Sequence, residues 1–229
     1  LYRGSAGYVD STAAWGLDRV FMAWSGNAGD VDQDGRVDFY LGTGGLGFEA
    51  LFPNVLLRSD GRRFEDVTTA AGVGHLQKAS GVAFGDLDGD GAPEILVRAG
   101  GCYPSDGFVN VVFRNPGHGR HWLAARLEGR RSNRAAIGAR IEVHVVAAGG
   151  ERRTIRHWVS SGGSHGSSTL RAEIGLADAT GIESVEVAWP GGATETFRDV
   201  PLDSSVRLVE GTGAAVRAPA VRSPAVRSQ

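Results

Sequence analysis

Two short acidic runs constrain this chain more than anything else in it. They read Asp30-Val31-Asp32-Gln33-Asp34-Gly35-Arg36-Val37-Asp38 and Asp86-Leu87-Asp88-Gly89-Asp90-Gly91-Ala92-Pro93-Glu94, and they start 56 residues apart. Both follow the pattern D-x-D-x-D-G-x-x-[DE]. Carboxylates at alternate positions converge on one point if the backbone curls, and glycine at the sixth position permits the curl. Four carboxylates that close repel one another. A hard divalent cation that takes roughly six to eight oxygens, calcium above all, resolves the conflict. The expected ligands are the side chains of Asp30, Asp32, Asp34 and Asp38 with the carbonyl of Arg36, and those of Asp86, Asp88, Asp90 and Glu94 with the carbonyl of Ala92. That gives two calcium sites.

These are not EF-hands. That loop needs a glutamate at its twelfth position and a helix on each side, whereas the twelfth residues here are Leu41 and Val97. The flanks Phe39-Tyr40-Leu41, Ile95-Leu96-Val97 and Gly81-Val82-Ala83-Phe84 are short and rich in aromatic and β-branched residues, so the loops are expected between strands. The same offset of 56 relates Asn54-Val-Leu-Leu-Arg58 to Asn110-Val-Val-Phe-Arg114, and Leu1-Tyr2-Arg3 fits with one residue of slippage. A repeat of about 50 residues made of short strands points to propeller blades, each buried only against its neighbours. Two blades do not close a ring and the chain opens in mid-motif, so the expected protein is longer than these 229 residues.

From about Gly119 the texture changes. Six segments read as strands: Trp122–Leu127, Ala139–Val146, Arg153–Val159, Thr169–Ile174, Ser184–Trp189 and Val206–Val209, with Gly-Gly turns between several of them. Such spacing suggests a small β-sandwich or barrel. The fold class expected is therefore all-β, a partial propeller over residues 1–118 and a β domain over 119–211. A disordered tail of Pro, Ala and Arg is expected over 212–229.

At this point the chain resembles a known family. The acidic loops resemble the calcium loops of FG-GAP (VCBS-type) repeats, found in integrin α-subunit propellers. Downstream, His121-Trp122-Leu123, Ser132-Asn133-Arg134-Ala-Ala-Ile137-Gly138-Ala139-Arg140, Gly175-Leu176-Ala-Asp178-Ala179 and Ser184-Val-Glu186-Val-Ala-Trp189-Pro190-Gly-Gly192 resemble the ASPIC/UnbV domain of cartilage acidic protein-like proteins. The resemblance covers roughly residues 1 to 211. It implies several FG-GAP units before one C-terminal domain, in a secreted, cell-surface or periplasmic protein. It brings no catalytic residue set. Some bacterial members lie in enediyne biosynthetic clusters, which implies an alternative: an accessory protein or enzyme of secondary metabolism, with its active site outside this chain.

Other features bound the reading. No apolar run reaches the ~18 residues of a membrane helix. Cys102 is the only cysteine, so no internal disulfide forms. Weak calcium loops fill where calcium is plentiful, which favours a place outside the cytoplasm. Gly162-Gly163-Ser164-His165-Gly166 matches the G-x-S-x-G pattern, but a nucleophile elbow needs a following helix. Here Ser167-Ser168-Thr169-Leu170 leads toward a strand, so a Gly/Ser loop is expected and no catalytic residue is assigned. His118 and His121 lack further zinc ligands at suitable spacing, and Trp122, Trp158 and Trp189 read as core. Ten arginines lie between Val111 and Arg156 against Glu128, Glu142 and Glu151. They raise a second alternative, polyanion binding through Arg130, Arg131 and Arg134. Arg134 could instead be spent on buried hydrogen bonds within the S-N-R motif. The chain as a whole carries a net charge of −2, close to neutral; the partner expected is a protein or glycan, not nucleic acid.

Overall fold

Alternating apolar residues make strands throughout, and helix is confined to single turns. The computed structural model describes residues 7–19, 21–45, 47, 51–101 and 103–218. Leu1-Tyr2-Arg3, Cys102 and the tail beyond 218 lie outside the described residues. Among the described residues four sheets are present and none closes on itself. Among the described residues no helix is long and apolar enough to cross a membrane.

The first sheet runs β1 (Ala23–Gly29), β2 (Asp38–Thr43), β3 (Val55–Ser59) and β4 (Phe64–Asp66), each antiparallel to the next. One helical turn, α1 (Thr68–Ala71), follows. It ends on Gly72 in the left-handed conformation (φ 69°) that glycine adopts without strain. The second sheet runs β5 (Ala79–Gly85), β6 (Glu94–Ala99) and β7 (Val111–Phe113). Both ends of β1 and β2 recur in β5 and β6 at the offset of 56, and the register irregularities at Ala23/Ser25 and Ala79/Gly81 recur with them. The sequence repeat is thus a structural repeat. The two sheets meet through β1 and β5. Ser25 Oγ donates to Ala79 O (2.8 Å), Asn27 Nδ2 donates to Val82 O (3.2 Å), and Phe84 occupies the space that a side chain at Gly29 would need. Tyr40, Leu56, Val73, Val82, Phe84, Ile95 and Val97 form their common core. Tyr40 is fully buried, with its hydroxyl donating to Val73 O at 2.8 Å.

The remaining strands are β8 (His121–Glu128), β9 (Arg140–Ala147), β10 (Arg152–Trp158), β11 (Ala172–Ala177), β12 (Ala179–Ala188), β13 (Thr194–Phe197), β14 (Ser204–Val209) and β15 (Ala215–Arg217). They form two sheets, β10-β9-β12-β13 and β11-β8-β14-β15; β14 runs parallel to β8 and every other pairing is antiparallel. Ile141, Val143, Val145, Val185 and Val187 of one sheet share a core with Leu123, Leu127, Ile174, Leu176 and Leu208 of the other. This is a sandwich of eight strands rather than the six expected. The missed β13 is the short alternating run Thr-Glu-Thr-Phe, which ends on the buried Phe197. The missed β15 corrects the tail. Residues 215–217, expected to be disordered, pair with Leu208, Arg207 and Val206 because β14 offers an open edge.

Trp158 is a second correction. It is 58% exposed rather than in the core. Ile155 of β10 packs on the core, so alternation turns Trp158 to the opposite face, opposite Arg140. Trp189 is buried as expected, at 3% exposure.

Lys78, the only lysine, is buried with its Nζ 2.6 Å from Asp106 Oδ2; the two side chains are 1% and 5% exposed. Gly44 and Gly101 leave room for the pair. Removing one partner strands a buried charge, so Asp106→Ala should cost about 3–5 kcal/mol in urea unfolding. The apolar double replacement Lys78→Met with Asp106→Leu should cost less than that single change. A double variant less stable than Asp106→Ala would show that the pair is worth more than the desolvation it suffers.

Candidate metal centres

Each acidic run is the connection of a β-hairpin, closed by the register pairs Gly29–Asp38 and Gly85–Glu94. The sixth-position glycines have positive φ, 85° at Gly35 and 86° at Gly91, as the curl requires. The fourth position is left-handed as well, at Gly89 (81°) and, against its preference, at Gln33 (58°). Within each loop the same three side-chain-to-backbone bonds recur. The first carboxylate accepts from the fifth residue's N–H: Asp34 to Asp30 Oδ1 at 3.0 Å, Asp90 to Asp86 Oδ1 at 3.1 Å. The fifth accepts from the seventh: Arg36 to Asp34 Oδ1 and Ala92 to Asp90 Oδ1, both 2.8 Å. The ninth accepts from the second: Val31 to Asp38 Oδ2 at 3.0 Å, Leu87 to Glu94 Oε2 at 2.8 Å. Its other oxygen reaches the end of the third strand of the unit, at Ser59 N (2.8 Å) or Asn115 N (3.3 Å).

The third position breaks this pattern of satisfaction. Asp32 Oδ2 lies 3.1 Å from Arg120 and Asp88 Oδ2 lies 3.3 Å from Arg114, yet Asp32 Oδ1 and Asp88 Oδ1 are both buried without a hydrogen-bond partner. A buried, orphaned carboxylate oxygen is costly, and here it occurs at the same place in both loops. Asp30, Asp32 and Asp38 each present an oxygen within 4.8 Å of the others, and so do Asp86, Asp88 and Asp90. Asp34, expected as a ligand, is engaged with the Arg36 guanidinium at 2.7 Å. Among the described residues the carbonyls of Arg36 and Ala92 accept no hydrogen bond. Burial pushes the Asp30 and Asp38 carboxyls up to about 7 despite the amides that face them, and their carboxylate neighbours add to the shift. Asp90 and Glu94 are raised in the same way. This donor set, all oxygen with excess negative charge and orphaned lone pairs, fits a hard divalent cation.

Both loops are seated on the outer face of the sheet containing β11, a contact between residues far apart in the chain. Asp30 Oδ2 accepts from Gly175 N (3.1 Å), Gln33 O accepts from Ala177 N (2.9 Å) and Asp32 O accepts from Arg120 Nη1 (2.8 Å). In the second loop Asp86 N donates to Glu173 Oε1 (3.2 Å), Asp86 O accepts from Arg171 Nη2 (3.0 Å), and Gly91 lies under the Trp122 ring. Burial raises the Glu173 carboxyl in turn, while Arg171 opposes the shift. Asn115 Nδ2 joins the loops by donating to Val31 O (2.7 Å) and Pro93 O (3.2 Å).

The other residues singled out in the sequence are spread over the surface. Arg130 and Arg131 expose their side chains, while their backbone amides and that of Ser132 donate to the buried Glu210 Oε2 at 2.7–2.8 Å. These amides hold the Glu210 carboxyl down at about 2. In the S-N-R motif the bonds are made by Ser132 and Asn133, and the Arg134 side chain is exposed rather than buried. His118 is exposed and His121 faces Asp203. Ser164 forms a two-way backbone bridge to Gly26 (2.8 and 3.0 Å), so the G-x-S-x-G segment ties the sandwich to β1. It borders a pocket of about 460 Å3 lined by Asn27, Phe39, Phe84, His157 and Trp158. Glu142, His144 and Glu186 also cluster, on the outer face of the other sheet, where Arg140 and Arg156 already face Glu142.

A methyl group at Gly175 would collide with Asp30 Oδ2 and the Gln33 backbone. Gly175→Ala should therefore cost about 1–3 kcal/mol in urea unfolding, by displacing the first loop while leaving every carboxylate of the sequence in place. A variant as stable as the parent would contradict the seating of that loop on β11. Glu210 gives a pH dependence. Its folded pKa lies below the unfolded value, so its contribution is present above about 4.5 and is lost as pH falls toward about 2. Glu210→Gln should lower the melting temperature at neutral pH and flatten its fall over that acid range; an unchanged acid profile would remove Glu210 from the account.

No curated protein matches the chain. Residues 129–215 match the family described as ASPIC and UnbV. That span takes in the S-N-R motif and the Trp189-Pro190 run, together with most of the strands opposed across the second core, so the likeness to ASPIC and UnbV lies in the sandwich.

Proposed function

We propose that the protein is a calcium-binding recognition or assembly module working outside the cytoplasm, in which two calcium ions lock paired FG-GAP-like propeller blades onto the ASPIC/UnbV sandwich. The single observation that carries this reading is the pair of buried, partnerless oxygens, Asp32 Oδ1 and Asp88 Oδ1, at matching positions of two loops with the same internal hydrogen bonding. In each loop calcium would take the first, third, fifth and ninth side chains and the seventh carbonyl. Calcium suits these loops better than magnesium, which demands near-octahedral geometry and keeps several waters.

The role proposed for the cation follows from where the loops sit. Asp30 and Asp86 each bridge the repeat to β11, so charge left uncompensated in a loop strains the contact with the sandwich. Calcium would relieve both strains at once and hold the recognition surface of the sandwich at a fixed orientation. The extracytoplasmic setting rests on the family match of the sandwich and on the abundance of calcium there, which fills weak loops.

Calorimetric titration of the chelator-treated protein should find two calcium ions per chain. Asp32→Asn and Asp88→Asn should each remove one while keeping the size of the side chain. At a hundredfold excess over Kd, each site should stabilise the fold by about 2.7 kcal/mol. Absence of heat, together with a melting temperature indifferent to calcium, would sink the proposal.

A further inference from the structure

The outer face of the β11-β8-β14-β15 sheet has two ends with opposite character. One end carries the acidic loops. The other opens into a groove of about 1070 Å3 whose charged lining is Arg126, Arg134, Arg171, Arg207, Arg217 and Glu128. Arg126 of β8 and Arg207 of β14 stand directly opposite each other in the parallel ladder, an arrangement of like charges that costs stability. Arg207 has Glu128 at 3.5 Å, and Arg171 is engaged with Asp86 and Glu173. Among the described residues Arg126, Arg134 and Arg217 have no carboxylate within ion-pair distance, unlike Arg120, Arg152, Arg153 and Arg156, each of which has one. Three elements of the sandwich thus bring uncompensated guanidinium groups to one concave surface.

We propose that this groove binds an acidic polysaccharide, with Arg126, Arg134, Arg207 and Arg217 taking its sulfate or carboxylate groups. Guanidinium forks match the planar, multi-oxygen geometry of both groups. The spread of charge over an open groove suits a chain of anionic groups rather than one small anion. Among the described residues no aromatic side chain lines the groove, so it lacks the stacking platform that single-stranded nucleic acid uses. Leu170 and Val216, 36% and 48% exposed, offer apolar floor to the C–H faces of sugar rings. Residues 219–229 carry Arg222 and Arg227 and no acidic side chain, so they offer the groove no side-chain countercharge. The site differs from the arginine cluster expected from sequence. Arg130 and Arg131 lie outside the groove, and the backbone around them is already occupied by Glu210. The assignment does not depend on the cation sites.

The test uses the whole chain at fixed calcium, with immobilised heparin, hyaluronan, single-stranded DNA and polyglutamate as probes. Heparin supplies sulfate and carboxylate, hyaluronan carboxylate alone, so the first two arms identify the group that is read. Binding to at least one polysaccharide should weaken steeply with salt. Arg126→Ser with Arg207→Ser, both at exposed strand positions, should weaken it by about tenfold at low salt and flatten the salt slope. Arg130→Ser with Arg131→Ser removes the same charge outside the groove and should leave affinity near that of the parent. The proposal is overturned if neither polysaccharide binds or if DNA or polyglutamate binds more tightly than both. Equal weakening by the two double variants, or undiminished binding by a folded groove variant, overturns it as well.

Discussion

The structure is organised around negative charge buried against an edge strand. Asp30, Asp38, Asp86 and Glu94 are buried or nearly so, and few cations of the protein reach them. Burying carboxylates without compensation is among the costliest things a fold can do. Here the cost is met first by backbone amides, which point into each loop in the same order, and then by β11, which supplies the amides of Gly175 and Ala177, and by Arg171 just before it. The carboxylates therefore do two jobs, shaping their own hairpins and gripping the neighbouring unit. What remains unsatisfied is one oxygen per loop, and that residue of charge is what a cation would meet.

The ninth-position carboxylates show why the loops recur so faithfully. Asp38 and Glu94 differ in length, yet each spans from the second residue of its loop to the end of the third strand of its unit. The longer side chain makes the longer outer bond, 3.3 Å at Asn115 against 2.8 Å at Ser59. Asn115 is then free to turn its amide toward Val31 and Pro93 and couple one loop to the other. The two repeats are not independent copies but a coupled pair, with the sandwich as the third body.

In the sandwich the same economy of backbone amides appears with opposite consequence. Three successive N–H groups at residues 130–132 make a concavity suited to an anion, and Glu210 of the chain itself fills it. An arginine-rich turn that looks in sequence like a polyanion site is spent on folding, while arginines far apart in sequence, on β8, β14 and β15, meet in the open groove.

Much of this was legible in the residues. The alternation of aspartates, the glycine at each sixth position and the offset of 56 are local, and local pattern determines hairpin, curl and repeat because both ends of each interaction lie within about ten residues. The all-β class and the S-N-R segment of the sandwich were readable for the same reason. Strand β13 was missed because four residues of weak alternation carry little signal, and β15 because its order comes from the open edge of β14, not from its own composition. Trp158 faces outward because parity with Ile155, not its own hydrophobicity, sets its face of β10. Arg120, Arg171, Glu173 and Gly175, which complete the acidic loops, lie 85 to 145 residues from the atoms they meet. The hairpin and curl of each loop follow from its own residues. What each loop touches follows from the packing of sheet on sheet, since pairings at such separations leave no periodic trace in the chain.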